Sequence, residues 1–318
     1  MSCREGRIAI KMLLLCAVSG ALAAGCAGAC AAPPAPVRVA PGVYALPGTG
    51  GEITPENRGR IANVVFIVGP RGVAVIDTGI SAREGETIIA AVRRVSDQPI
   101  RLAILTHPSQ EAIFGAAAFQ AHGVAVLAHR DAAVLIGARC DACLGRLRTL
   151  LGDAAMAGTR VVTPDRLVDG DETIDVIGRP LRLIAPRWTS APGAIAVYDP
   201  WTSTLVSGTL ASIGRVPDLR DANVPAWRAA LPQLASLRCR HLVAAYGPAG
   251  RCADIPAFAR YFAALDDRVA ALLKDGVSLA EVRAQSGLPA FAQWDQYDTL
   301  NPQNANLTYL RLERAQFD

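Results

Sequence analysis

The first hydrophobic stretches of the chain are short and rich in β-branched residues. "VRVAPGVYALPG" and "NVVFIVGPRGVAVIDTG" are divided by Gly-Pro and Arg-Gly turn signals. This pattern predicts β-strands that form an antiparallel meander at the start of the folded domain.

Helical and strand patterns then alternate along the chain. "REGETIIAAVRRVS" has its apolar residues at helical spacing, and "PIRLAILTH" is a continuous apolar strand. A helix over "EAIFGAAAFQAHG" and a strand over "VAVLAH" follow, and then a longer helical insert at about residues 130–155. The alternation predicts an α/β fold.

A second series of strands follows the helical insert. We predict strands within "TRVVTP", "RLVDGDETIDV", "RPLRLIAP", "GAIAVYDP" and "STLVSGTLA". The helix "VPAWRAALPQLASL" and the strand "RHLVAAYG" complete this second half. Two successive half-units of sheets flanked by helices predict a four-layer αβ/βα sandwich over residues 37–254.

The rest of the chain has a helical pattern. "AFARYFAALDDRVAALLKDGVSLAEVRAQSG" carries apolar stripes, and no repeat or low-complexity linker separates it from the preceding residues. We therefore expect residues 255–318 to form a helical C-terminal extension that packs on the same domain.

The N-terminus has the pattern of an export signal. A short charged region precedes the apolar run "MLLLCAVSGALAAG", which is too short to span a bilayer comfortably, and small residues follow it. We expect cleavage after Ala31, giving a signal peptide of residues 1–31 and a periplasmic or secreted protein. An alternative is a lipoprotein, since "LAAGC" resembles a lipoprotein box at Cys26 and would attach the protein to the membrane.

Export changes the expected state of the cysteines. Cleavage after Ala31 would leave four of the eight cysteines, and disulfides are the default in an oxidising compartment. The candidates are Cys140, Cys143, Cys239 and Cys252. A structural disulfide is the favoured interpretation of the Cys140–Cys143 C-x-x-C, and a redox dithiol or half of a zinc site are the alternatives.

Composition and charge exclude some classes of protein. The 318 residues are 51% hydrophobic and 19% charged, which is typical of a globular protein. The formal charge is +4, with no basic run and no aromatic residues interleaved with basic ones, so we expect no nucleic-acid partner.

Several longer stretches resemble a known family. They are "ENRGRIANVVFIVGPRGVAVIDTG", "PIRLAILTH" followed by "FGAAAF", "GRVPDLRDANVPAWRAAL", "RHLVAAYGPAG" and "NLTYLRLE". Together they resemble the metallo-β-lactamase superfamily. Within it they are similar to the exported, SoxH-related branch called the quinoprotein relay system zinc metallohydrolases. The resemblance implies the metallo-β-lactamase fold from about Val37 onwards.

The resemblance also implies a dinuclear zinc site, in which imidazoles and a bridging aspartate hold the metals that activate water. In such families H-x-H-x-D-H follows a buried strand, and later loops supply a histidine, an aspartate and a last histidine. Here His107 retains the first position. The other positions fall on Ser109, Glu111, Ala112, Ser190, Thr209 and Tyr246.

These replacements argue against tight zinc binding. Losing even a residue that only hydrogen-bonds to a metal ligand typically weakens metal affinity about 10- to 100-fold. Losing most of the ligands themselves has a larger effect. His107 and Glu111 are weak metal ligands at best, and no cofactor is expected unless a non-standard site recruits zinc. We interpret His107 as a remnant, and His122, His129 and His241 as surface or satisfied core histidines.

Two further residues would support the pocket. An aspartate at the position of Asp77 supports the metal site in the family, but its ordinary role is to bond neighbouring loop amides, which we favour here. Trp188 would line an emptied pocket together with Tyr246, Thr209 and the serines. Such a pocket suits a small polar ligand.

A serine nucleophile is a weaker alternative. Ser109, Ser190 or Ser207 near His107 could form a serine–histidine pair, but the sequence has no G-x-S-x-G motif.

Three functions remain open from the sequence. The first is a non-hydrolytic binding or accessory protein in a periplasmic system linked to quinoprotein dehydrogenases, with a small polar ligand or a protein partner. The second is an active metallo-hydrolase with a non-standard metal site. The third is a thiol or disulfide interaction module centred on Cys140 and Cys143. Function depends on sites rather than on the fold, so we favour the first.

Overall fold

The computed structural model describes residues 35–316. The strands in this range are β1 (Val37–Ala40), β2 (Val43–Leu46), β3 (Val64–Gly69), β4 (Gly72–Ile76), β5 (Ile100–Ile104), β6 (Ala125–His129), β7 (Arg166–Val168), β8 (Glu172–Ile174), β9 (Leu181–Ile184), β10 (Ala196–Asp199), β11 (Thr204–Gly208) and β12 (His241–Ala244). The helices are α1 (Ala82–Arg93), α2 (Gln110–Ile113), α3 (Ala116–Ala121), α4 (Arg130–Leu151), α5 (Val224–Ser236), α6 (Ile255–Lys274), α7 (Leu279–Gln285) and α8 (Tyr297–Arg314).

The strands form two sheets. The first has seven strands in the order β1 to β7, antiparallel from β1 to β4 and parallel from β4 to β7. The second has five strands in the order β12-β11-β10-β9-β8, and β11 with β12 is its parallel pair. The expected opening meander is therefore confirmed.

Alternating side chains connect each sheet to two different cores. In β4, Val73 and Val75 pack towards the helices of the first half, whereas Ala74 and Ile76 belong to a core between the sheets. In the second sheet, Leu242 of β12 likewise packs towards the C-terminal helices. Because successive side chains of a strand point to opposite faces, each sheet packs on the other sheet with one face and on helices with the other, which gives four layers. The predicted αβ/βα sandwich is confirmed.

The C-terminal helices cover the outer face of the second sheet. Trp227 of α5 contacts Phe258 and Phe262 of α6, with ring centroids 5.8 and 5.0 Å apart. Tyr261 of α6 also donates a hydrogen bond to Asn301 of α8 at 3.0 Å. The described part of the chain is one compact unit.

Two predicted elements differ in the structure. The helix expected over "EAIFGAAAFQAHG" is divided into α2 and α3 at Gly115, whose amide donates to Gly79 O at 2.9 Å. A Cβ on Gly115 would lie 1.7 Å from Thr78 O, so the backbones approach too closely for another residue type. The strand predicted within "TRVVTP" is also wrong. That segment is irregular, and β7 begins only after Pro164, which lacks an amide donor.

The cysteines are in two different states. Cys239 and Cys252 form a disulfide that joins the start of β12 to the turn before α6. Cys140 and Cys143 are free thiols inside α4, so the disulfide favoured for this C-x-x-C is not formed. Side chains three positions apart in a helix have Cβ atoms about 5–6 Å apart, whereas a disulfide needs about 3.5–4.5 Å.

The predicted signal peptide of residues 1–31 and the lipidation site at Cys26 lie outside the described residues. Within residues 35–316, no helix combines the length and the hydropathy that crossing a bilayer requires.

Candidate functional site

Most residues predicted at the family's ligand positions lie in loops that follow strands. His107 follows β5, Thr209 follows β11 and Tyr246 follows β12, while Glu111 lies in α2. The loops meet because Ile195 N donates to Thr106 O at 2.8 Å, between the two sheets. Gly208 packs against the same residue, and a Cβ there would lie 2.6 Å from Thr106 Oγ1.

A buried chain of hydrogen bonds connects Asp77, Thr106 and His107. Asp77 has a left-handed backbone (φ 62°), a conformation that aspartate tolerates better than most residues, and it accepts from Thr106 N at 2.8 Å. Thr106 Oγ1 lies 2.8 Å from Asp77 Oδ2 and 2.7 Å from His107 Nδ1. These three side chains are almost completely inaccessible to solvent.

The ionisation of Asp77 determines which nitrogen of His107 carries a proton. With Asp77 ionised, its carboxylate can only accept, so Thr106 would donate its hydroxyl proton to Asp77 and accept from His107 Nδ1–H. His107 Nε2 is then an unprotonated acceptor, and it is buried without a hydrogen-bond partner among the described residues. Burial lowers the pKa of His107, against the opposing charge of Asp77, and therefore favours this neutral form.

The carboxyl group of Asp77 is also perturbed. Burial raises its pKa, and the positive form of His107 and the hydrogen bonds from Thr106 act in the opposite direction. The 3.9 Å distance between Asp77 Oδ2 and His107 Nδ1 leaves the threonine hydroxyl as the direct link between them.

Glu111 and Tyr246 form a second group. The hydroxyl of Tyr246 donates a short hydrogen bond to Glu111 Oε1. Burial and the neighbouring Glu111 raise the pKa of Tyr246 well above its ordinary value, so the phenol keeps its proton. The guanidinium of Arg215 lies 4.1 Å from the centre of the Tyr246 ring, a cation–π contact, and it also pairs with Asp295 and donates to Gly51 O at 3.3 Å.

Ser190 and Thr209 form a third group, in which their hydroxyls lie 2.8 Å apart. Ser207 bonds elsewhere, since its hydroxyl donates to Ala211 O at 3.0 Å. Ser109 precedes α2 as its N-cap residue, and Ala112 is fully buried with the apolar residues of the first half. No bond joins a serine hydroxyl to His107 among the described residues, as a serine–histidine pair would need.

Trp188 and the other histidines lie apart from these bonds. Trp188 is 49% exposed, and its indole donates to Asp221 O at 2.5 Å. His122 pairs with Glu86 on the surface at 2.9 Å, and His129 accepts from Asp131 N at the start of α4.

Three site residues were missed from the sequence. Thr106 precedes His107 directly, and that adjacency was its only signal. Asn63 holds the Tyr246 loop, because its side-chain amide donates to Ala244 O and Gly247 O, both at 2.9 Å. Arg215 gave no sequence signal, since folding alone brings it over Tyr246.

Metal-binding side chains do not cluster here. Across residues 35–316, no group of three or more His, Cys, Asp or Glu side chains has an arrangement that could hold a metal ion.

Solved structures with similar folds include two metallo-β-lactamases. One, from Pontibacter korlensis, has a TM-score of 0.59 and 18% identity, covering 71% of this chain and 97% of that one. The other, from Hirschia baltica, has a TM-score of 0.55 and 18% identity, covering 72% and 98%.

A stereoselective inverting sec-alkylsulfatase from Pseudomonas sp. has a TM-score of 0.63 and 19% identity, covering 87% of this chain. The match spans 50% of the length of that sulfatase. At these identities the likeness shows the fold alone. No curated protein matched this sequence.

The family comparison agrees with the two sheets and their helical layers. The model of the metallo-beta-lactamase superfamily matches residues 57–247, which include β3 to β12 and every ligand position considered above. The chain belongs to the metallo-beta-lactamase superfamily.

Proposed function

We propose that this chain is an exported, non-hydrolytic member of its superfamily that binds a small polar ligand or acts as an accessory protein in the periplasm. One observation carries the proposal. Side chains at the expected ligand positions bond to each other, Glu111 to Tyr246 and Ser190 to Thr209. Side chains that satisfy one another in pairs are not arranged around a shared metal.

The donor chemistry does not fit a zinc ion. Zinc in proteins is bound by imidazole, thiolate and carboxylate groups. His107 provides one imidazole, and the carboxylate of Glu111 already accepts from Tyr246. Neutral hydroxyls of serine and threonine are poor substitutes, so the first coordination shell lacks three good ligands.

The same geometry supports binding. Within residues 35–316, His107 Nε2 is a buried atom without a hydrogen-bond partner, and such an atom costs free energy until a donor reaches it. A small ligand that carries a hydroxyl or amino group would supply that donor. The Tyr246 ring, whose centroid is 6.5 Å from that of His107, would give the ligand an aromatic neighbour.

The biological setting rests on the resemblance and on the signal-like N-terminus. The SoxH-related branch acts in the periplasm alongside quinoprotein dehydrogenases, and we place this chain in such a system as a partner that does not carry out hydrolysis. A disulfide between Cys239 and Cys252 is compatible with an oxidising compartment.

Metal content tests the proposal. The protein is produced with its N-terminal segment and purified without chelator, beside His107→Ala and His122→Ala variants. Inductively coupled plasma mass spectrometry then measures the zinc content of each. We expect less than about a tenth of a zinc ion per chain in all three, because most of the side chains that would bind zinc directly are absent. The surface variant His122→Ala controls for adventitious zinc. About one zinc per chain that is lost in His107→Ala and retained in His122→Ala would contradict the proposal.

Hydrolysis is the second readout. The structural neighbours include metallo-β-lactamases and an alkylsulfatase, so a β-lactam and a secondary alkyl sulfate are suitable test substrates. We expect no turnover above the uncatalysed rate, with or without added zinc. Turnover that disappears in His107→Ala would instead support the alternative of an active hydrolase with a non-standard site.

A further inference from the structure

Cys140 and Cys143 lie three positions apart on α4 and take no part in the hydrogen bonds of Asp77, Glu111 or Ser190. Both are free, and their spacing of three positions in α4 places them on one face of the helix. Two reduced thiols at neighbouring positions can exchange with an external disulfide if one of them is accessible and activated.

Cys143 has the features of the attacking thiol. It is half-buried rather than inaccessible, and Arg146 Nη2 donates to its sulfur at 3.2 Å. Arg139 on the preceding turn also interacts electrostatically with both cysteines. A partly exposed sulfur beside a guanidinium donor is open to an external disulfide, and its thiolate is the form that attacks.

Cys140 has the features of the resolving thiol. It is 3% exposed and packs with the apolar residues of the first half. Burial, followed by the effect of Cys143, raises the pKa of Cys140 to about 12, so this thiol keeps its proton while Cys143 reacts.

We propose that Cys140 and Cys143 form a thiol–disulfide exchange site whose reaction partner is a disulfide-bearing molecule. The Cys143 thiolate attacks one sulfur of the partner's disulfide, forming a mixed disulfide and releasing the other sulfur as a thiolate. Cys140 then gives up its proton to solvent and attacks the sulfur of Cys143, which releases the second thiolate. Two electrons pass from the cysteine pair to the partner, which is reduced to two thiols as the Cys140–Cys143 disulfide forms.

The helix makes this disulfide reversible. Cβ atoms three positions apart in a helix are about 5–6 Å apart, so closing the bond requires α4 to distort locally, and distorted disulfides are reduced more readily. A zinc half-site is a weaker interpretation, since no third His, Cys, Asp or Glu completes a metal group in the described part of the chain.

The exchange site adjoins the loop that carries Arg215. Arg139 is the residue before Cys140, and its Nη1 donates to Asp221 Oδ1 at 2.7 Å. The carbonyl oxygen of Asp221 accepts from the Trp188 indole. A partner that reaches Cys143 therefore also meets the Arg139–Asp221 ion pair on the surface.

The test uses the full chain, reduced and then freed of reductant under native conditions, with oxidised glutathione as the probe. Alkylation and peptide mass spectrometry follow each cysteine separately. In the parent we expect both thiols of the 140–143 peptide to become protected together, and to be recovered on adding dithiothreitol. In Cys140→Ala we expect a stable glutathione adduct on Cys143, and in Cys143→Ala no adduct on Cys140.

Arg146→Gln separates reactivity from folding, because it leaves both thiols in place. We expect adduct formation on Cys143 to slow about 3- to 10-fold in this variant, since the thiolate loses its hydrogen-bond donor. Circular dichroism confirms that each variant is folded. The proposal would be overturned if Cys140 and Cys143 of the folded parent both remain open to alkylation after treatment with oxidised glutathione. An adduct that forms first on Cys140 would also overturn it. Neither outcome depends on zinc content, so the non-hydrolytic role is tested separately.

Discussion

At the scale of single residues, the order of protons along Asp77, Thr106 and His107 determines what the site offers to a ligand. With Asp77 ionised, the direction of each hydrogen bond determines the direction of the next, and His107 Nε2 is then an acceptor. The neighbouring hydroxyl of Tyr246 performs a similar role for Glu111, because it supplies the donor that a largely buried carboxylate needs.

An Asp77→Asn substitution should reverse the tautomer of His107. Asparagine tolerates the left-handed backbone at this position, and its Oδ1 can still accept from Thr106 N. Its NH₂ group would donate to Thr106 Oγ1, so the threonine would donate to His107 Nδ1 and the proton would move to Nε2. Imidazole ¹⁵N chemical shifts measure this directly. Asp131→Asn, beside His129, is the control that should leave the His107 signals unchanged.

A Tyr246→Phe substitution should destabilise the protein. It removes the hydroxyl that donates to Glu111, and losing a hydrogen bond to a buried charged group costs about 1–3 kcal/mol. Urea unfolding gives the change in the free energy of unfolding. Tyr44→Phe is the matched control, because Tyr44 stacks on Phe66 through its ring at 5.1 Å. An equal loss in both variants would mean that the Glu111 bond contributes little.

At the scale of elements, the start of α1 carries a titratable group that the fold has perturbed. Ser81 caps this helix by accepting from Glu84 N at 3.2 Å, and Glu84 Oε2 accepts from Ile80 N at 2.8 Å. Burial raises the pKa of Glu84 to about 7, with the bond from Ile80 and the charge of Arg60 acting in the opposite direction. The capping arrangement therefore depends on pH.

A Glu84→Gln substitution should remove that pH dependence. The pKa of Glu84 is raised from 4.5, so its contribution to stability is fully present below pH 4.5 and is lost as the pH rises through 7. One pKa unit corresponds to about 1.4 kcal/mol, and after allowing for solvent screening of this partly exposed group we expect about 2 kcal/mol. Between pH 5 and pH 8, the free energy of unfolding of Glu84→Gln, measured in urea, should rise by that amount relative to the parent. The exposed Asp97→Asn should follow the parent at both pH values.

At the scale of the whole molecule, a buried ion pair joins the two sheets. Arg179 Nε bonds Asp199 Oδ1 at 2.9 Å at the end of β10 in the second sheet. Its Nη1 donates to Pro41 O and Val68 O of the first sheet at 3.2 and 3.1 Å. The pair is almost fully buried, so each charge depends on the other for its solvation.

Breaking this pair should destabilise the whole fold. Asp199→Ala leaves the Arg179 charge buried without its carboxylate, which typically costs about 3–5 kcal/mol. An Arg179→Met, Asp199→Leu double variant should lose less, because it buries no unpaired charge. Thermal and urea unfolding compare the two with Asp169→Ala, which breaks the exposed Arg130–Asp169 pair and should change little. A double variant as unstable as Asp199→Ala would contradict this explanation.

The sequence determined the layers of the fold, because strand and helix periodicities follow from which face of each element is buried, as at Val73 to Ile76 of β4. The resemblance read from the sequence also predicts the ligand positions, of which His107 and Glu111 keep groups that can bind metal. Only the tertiary structure decided which atoms meet. Gly115 separates two helices because the backbone of Thr78 approaches it closely. Tyr246 donates a hydrogen bond to Glu111, and Thr106 forms a hydrogen bond with His107 Nδ1. These contacts join residues from different loops, and a linear pattern does not specify their distances.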